Sequence, residues 1–290
     1  MFSITSEQRQ YTTYLLQDEQ AAARLEVVPE RGGIITRWAI GDAEVLYLDG
    51  DRFADPTLSV RGGIPILFPI CGNLPDNTYT HDGQSYALKQ HGFARNLPWA
   101  IAHQSTDTAA SLTLQLDSND TTRQQYPFDF RLQFTYRLLG NGLEIHQRVE
   151  NQSAEPLPFS LGLHPYFNVS DKAALQFSIP ATEVRSQIDH SLSPFAGQFD
   201  LSQPELDLLF ADLSAASASV VDPTQGIRLD LTYSDAYSML VFWTLHDKDF
   251  YCLEPWTAGR NALNTGDRLL HLPPHETQTT TVRLTVSPLS

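Results

Sequence analysis

A chain of 290 residues with 34 acidic against 19 basic side chains carries a formal net charge of −15, a surface that repels phosphate backbones and anionic lipid heads. Nucleic acid and membrane surfaces are therefore not expected partners, and an anionic ligand would need a local cluster of Arg or Lys. Hydrophobic residues at 41% and charged residues at 18% are ordinary for a soluble globular protein.

No apolar run reaches the roughly 18 residues of a membrane span. The first twenty residues lack the basic and then apolar run of a signal peptide, so a cytoplasmic protein is expected. In chain order, SEQRQYTTYLLQDEQAAARL (6–25) is the best helix candidate, yet it lacks a sustained apolar face. ARLEVVP (23–29) alternates like a strand. SLTLQLD (111–117) places Leu112, Leu114 and Leu116 on one face. Residues 130–151 read as a long hairpin: Leu132, Phe134, Tyr136 and Leu138 run up one face, GNG (140–142) turns, and Leu143, Ile145, Gln147 and Val149 return. ADLSAASASVVD (211–222) reads as a loop leading into a strand. IRLDLTYS (227–234) and TTTVRLTVS (279–287) alternate again. Eighteen prolines and sixteen glycines supply the turns that many short strands need. The expected fold is one all-β domain over residues 1–290, a large two-sheet antiparallel β-sandwich. Cys71 and Cys252 lie in apolar segments and read as reduced, buried thiols, at a spacing that fits no metal motif.

Four polar islands interrupt the strand pattern. In VRGGIPILFPICGNL (60–74), Arg61 precedes a glycine pair; it offers a planar fork of donors, although by itself the segment reads as a turn bearing a surface arginine. In LKQHGFARNLPW (88–99), Lys89, His91 and Arg95 form a locally basic spot in an acidic chain, suited to an anion or polyol. In LGLHPYFNV (161–169), Pro165 holds His164 out of the helical region, and the imidazole is either a satisfied core group or a rigid catalytic one. In FYCLEPWTAGRNALNTG (250–266), Glu254 follows an apolar strand and precedes Pro255 and Trp256. A carboxylate there needs a partner, and apolar walls raise its pKa toward the range of a general base. The Trp256 indole offers a flat platform for the C–H face of a sugar. His164 and Glu254 thus read as an acid and base pair able to open a cyclic hemiacetal without metal.

The motifs HGFAR, LGLHPYF and CLEPW, in that order, resemble the aldose 1-epimerase (galactose mutarotase-like) superfamily over nearly the whole chain, and RGGIPILFP with HGFAR is most similar to its hexose-6-phosphate mutarotase branch. The resemblance implies a β-supersandwich with a shallow cleft, Glu254 as general base at the anomeric hydroxyl and His164 as general acid at the ring oxygen. It further implies His91 and Arg61 as substrate-binding groups and, from LDLLF (206–210), Asp207 as acceptor from ring hydroxyls. Arg95 and Trp256 complete the expected binding set, and phosphate recognition would need Arg61, Lys89 and Arg95 to converge. FPICGNLPDN departs from the branch pattern, where a glutamine and further polar residues often follow FP. No metal or organic cofactor is implied. The partner expected is a small sugar or sugar phosphate, bound by a monomer. A non-catalytic sugar sensor on the same fold is the alternative class. A glycoside-cleaving enzyme ranks last, because it would need two facing carboxylates.

Overall fold

The computed structural model describes residues 1–289. Strands dominate, and the segment read as the best helix candidate is instead three of them: Phe2–Gln8, Thr12–Asp18 and Ala23–Val28. Their buried positions, Thr13, Leu16 and Asp18 in the second strand and all but Arg24 in the third, follow no helical stripe, which explains why no sustained apolar face was found there. With Ile34–Ile40 and Ala43–Glu44 they form a five-stranded antiparallel meander.

The outer layer is an eight-stranded sheet. In spatial order it runs Gln176–Ser178, Ser217–Asp222, Ile227–Tyr233, Thr277–Pro288, Gly142–Asn151, Phe130–Leu139, Ala110–Asp117 and Ala100–Ser105. Its hairpin at 130–151 pairs Phe130 with Asn151 through Leu139 with Gly142. Burial alternates strictly along Phe130–Leu139, as one core face and one open face require. The facing layer contains a second sheet, ordered Leu192–Pro194, Glu183–Ser186, Glu205–Phe210, Met239–Leu245, Phe250–Trp256, Gly162–Leu163 and Ile66–Leu67, with Tyr166–Asn168 also pairing to Phe250–Trp256. Isolated bridges between Ile35 and Ile64 and between Leu46 and Phe167 join the N-terminal meander to this second sheet. The fold is thus the expected β-sandwich, enlarged by that third sheet.

Phe250–Trp256 is buried at all seven positions. Tyr251 and Leu253 point into the main core between the layers, while Phe250, Cys252, Glu254 and Trp256 occupy the opposite face with two small apolar clusters of their own. That opposite face is where a polar cleft opens. Both cysteines are free and buried. No helix among the described residues is long and apolar enough to cross a membrane.

Candidate active site

The register of the second sheet explains the juxtaposition at its centre. Gly162 pairs with Trp256 and Tyr166 with Cys252, so the interrupted ladder between them places His164 directly opposite Glu254. The strand breaks there because Pro165 has no N–H to give; the His164 N–H turns instead to Pro65 O at 3.1 Å. Cross-strand neighbours on one face meet, and the result is a His164 Nε2 to Glu254 Oε1 contact of 3.4 Å, with side-chain exposures of 9% and 2%. The other Glu254 oxygen, Oε2, accepts the Trp256 indole N–H at 3.1 Å. His164 lies flat on Tyr166, with ring centroids 4.6 Å apart.

These groups line a cavity of about 430 Å³, of a size that accepts a sugar. All seven residues expected at the site reach it: Glu254, His164, His91, Arg61, Asp207, Arg95 and Trp256. Trp256 is almost fully enclosed and spends its polar edge on Glu254, so the more open indole is Trp243, with the Arg61 guanidinium 5.8 Å from its ring centroid. Lys89 is the exception. It is exposed and does not line the cavity, because its neighbour Leu88 is the side chain drawn into the core.

His91 is held in a left-handed conformation at φ 64° and pinned twice by one residue. Its backbone N–H donates to Gly72 O at 2.7 Å, and its ring Nδ1 accepts from Gly72 N–H at 3.0 Å. An accepting Nδ1 leaves the proton of the neutral ring on Nε2. Burial and the Arg95 cation push its pKa well below the usual histidine value, so the ring is driven to its neutral form at the cavity wall, with Nε2 3.3 Å from the Gln90 side-chain amide nitrogen. Gly92 follows at φ 68°; a Cβ there would lie 2.1 Å from Phe68 O, so only glycine fits this turn.

Electrostatics at the centre is dominated by burial. It raises the Glu254 carboxyl well above its ordinary value, with the Asp207 charge adding to the rise while the Trp256 N–H, Arg260 and Arg95 oppose it. It lowers His164 to about 3, with Arg95 pushing the same way. Both groups are thus driven toward their neutral forms. Asp207 is ion-paired to Arg260 and accepts from Gln187 Nε2 at 2.6 Å.

Sequence reasoning missed three arginine and carboxylate contributors. Arg52 reaches the rim from a short helix, Gly50–Ala54, whose Asp49 cap accepts the Arg52 N–H at 3.0 Å. Arg260 lies in the quoted 250–266 segment but had no pattern to single it out. Glu205 stands two residues before Asp207, on the same strand face, and accepts the Trp243 indole N–H at 2.7 Å. Among the described residues Arg52, Arg61 and Arg95, all lining the cleft, make no ion pair with a carboxylate in an otherwise acidic protein.

A buried imidazole and carboxylate thus face each other in a sugar-sized cleft on a β-sandwich enlarged by a third sheet. The chain belongs to the aldose 1-epimerase family, whose sequence profile matches residues 14–285. It is 45% identical to the Slr1438 protein of Synechocystis sp. PCC 6803, with a TM-score of 0.95 over 99% of this chain and 100% of that one. A galactose mutarotase-like protein from Clostridium acetobutylicum, 20% identical, shares the fold at a TM-score of 0.84 over 99% of both chains. Over 150 residues, 51% of this chain, it is 34% identical to a Salmonella typhimurium protein named "Putative glucose-6-phosphate 1-epimerase", of which the match covers 46%. The chain therefore spans about half the length of that curated relative.

Proposed function

We propose that this protein interconverts the α and β anomers of an aldohexose, with the 6-phosphorylated sugar as its preferred form. The observation that carries the reading is the 3.4 Å contact of His164 with Glu254 at the floor of the cleft. Glu254, as carboxylate, takes the proton of the anomeric hydroxyl while His164, as imidazolium, gives one to the ring oxygen. The C1–O5 bond breaks, leaving an open-chain aldehyde with a hydroxyl at C5. Rotation about C1–C2 presents the other face of the carbonyl, and the same steps run backward. His91 Nε2–H and the Asp207 carboxylate supply a donor and an acceptor for sugar oxygens.

The opposed pKa shifts fit this cycle. Because both groups are pushed toward neutrality, the pair holds one proton over a wide pH range, and passing it from Glu254 to His164 turns a neutral pair into the working ion pair without uptake from solvent. A second proton arrives only near the depressed His164 value of about 3, and the last one leaves only above the raised Glu254 value. We therefore expect kcat to show no acid decline as the pH falls through 6.5. A decline with a midpoint near 6.5, the value of an unperturbed histidine acid, would contradict the shared-proton account.

Support for the phosphorylated substrate comes from Arg52, Arg61 and Arg95, whose guanidinium groups lack carboxylate partners and suit a phosphate bidentately. Polarimetry on freshly dissolved α-glucose 6-phosphate and α-glucose should give a kcat/KM favouring the phosphate by about 10- to 100-fold, since hydrogen bonds to charged groups contribute about 1.5–3 kcal/mol each. Arg61→Ala should erase most of that preference, lowering kcat/KM on glucose 6-phosphate far more than on free glucose. Equal rates on both sugars would remove the phosphate from the proposal and leave the epimerase.

A further inference from the structure

Arg260 takes no part in the proton transfers, yet each of its three nitrogens is engaged. Nη2 pairs with Asp207 Oδ2, Nε donates to Gln187 Oε1 at 2.8 Å, and Nη1 donates to Asn73 Oδ1 at 3.1 Å. Gln187 closes a triangle through its Nε2 donation to Asp207 Oδ1, and its backbone N–H binds Asp207 O at 2.7 Å. The path of the arginine side chain depends on Gly72, where an added Cβ would lie 2.4 Å from Arg260 Cγ. Gly72 is also the residue that pins His91 at both its N–H and its Nδ1. One loop, residues 71–73, therefore touches the supports of both groups assigned to sugar oxygens.

We propose that Arg260 is a positioning residue: on the reading of the site given above, its guanidinium fork keeps Asp207 ionised and fixed at the cavity wall, in register with His91 through the Gly72–Asn73 loop. A carboxylate whose side chain is only 13% exposed has little water to stabilise its charge. Burial raises the Asp207 pKa, Glu205 on its own strand adds to the rise, and Arg260 and Gln187 are the groups that oppose it. Glu254 on the neighbouring part of the sheet is raised by the Asp207 charge and lowered by Arg260. Removing the cation therefore acts in one direction at either carboxyl. Asp207 takes up a proton at higher pH and stops accepting from sugar hydroxyls with both oxygens, or, where it stays charged, Glu254 becomes harder to ionise. The first carries the acid limb of kcat/KM upward; the second moves the alkaline limb, where the shared pair loses its last proton.

The test uses the full chain as Arg260→Met and Arg260→Lys. Two measurements are made on each: the pH dependence of kcat and KM for anomer exchange of glucose 6-phosphate, and a ¹³C NMR titration of the Asp207 carboxyl, assigned against Asp207→Asn. Arg260→Met should raise the acid limb and the Asp207 titration by about one pH unit or more, the effect of losing an opposite charge in contact. Its kcat/KM at neutral pH should fall about 10²-fold. Arg260→Lys keeps the charge without the fork, so it should leave the limb in place and raise KM about tenfold. A Met variant with the wild-type limb and titration overturns the inference, as does a Lys variant with wild-type KM should the Met variant fail to fold. If the wild type accelerates exchange of no hexose, the functional reading falls, and the carboxyl titration alone still decides whether Arg260 holds Asp207 ionised.

Discussion

Glu254→Gln is expected to slow anomer exchange by about 10²- to 10⁴-fold, the range a positioned proton-transfer group supplies. The replacement is close to isosteric. Its amide oxygen can still accept the Trp256 N–H that now reaches Oε2 at 3.1 Å, so the strand Phe250–Trp256 should pack unchanged. What is lost is only the ability to take a proton. Because a carboxyl with 2% side-chain exposure carries a desolvation penalty, the variant should melt no earlier than the wild type. Activity and stability thus part company, which distinguishes loss of a base from loss of fold. Thermal melts and exchange rates on the same preparation check this. A Glu254→Gln variant that kept wild-type rate would remove the residue from the mechanism.

The second large effect belongs to His164→Ala, with a rate loss of the same order. The ring stacks on Tyr166 at 4.6 Å and is 7% exposed as a residue, so its removal also leaves a void, and a loss of about 1–3 kcal/mol in stability should accompany it. The informative variant is the double one. If Glu254 and His164 hold one proton between them, removing either already disables the pair, and Glu254→Gln with His164→Ala should be within a few fold of the slower single variant. Independent contributions would multiply instead. A double variant slower than either single by a further factor of about 10² would show that the two groups act separately.

The sandwich was legible wherever one face of a strand meets the core. Alternation at 111–117 and 130–151 fixes those strands to within a residue, and the loop into a strand at 211–222 resolves as Ser217–Asp222. At 6–25 the signal was weak, because Phe2–Gln8 at the edge of the meander buries none of its residues. His164 and Glu254 stood out because polar groups inside apolar strands demand a partner, and their register does bring them face to face. Arg260, Arg52 and Glu205 carried no such mark. Arginine and glutamate in loops and at strand ends are normally solvated, and the placing of Arg260 depends on Asp207 and Asn73, 53 and 187 residues distant in sequence. Lys89 misled for the mirror-image reason: proximity to His91 along the chain was read as proximity in space.

The most direct test is two-dimensional exchange NMR of glucose 6-phosphate at pH 7, observing the anomeric carbon with and without a catalytic amount of enzyme. Cross-peaks between the α and β resonances should appear with the wild type on a timescale where the sugar alone shows none, and should vanish with Glu254→Gln. Absence of cross-peaks for glucose 6-phosphate, glucose and galactose alike would contradict the claim that His164 and Glu254 open the pyranose ring.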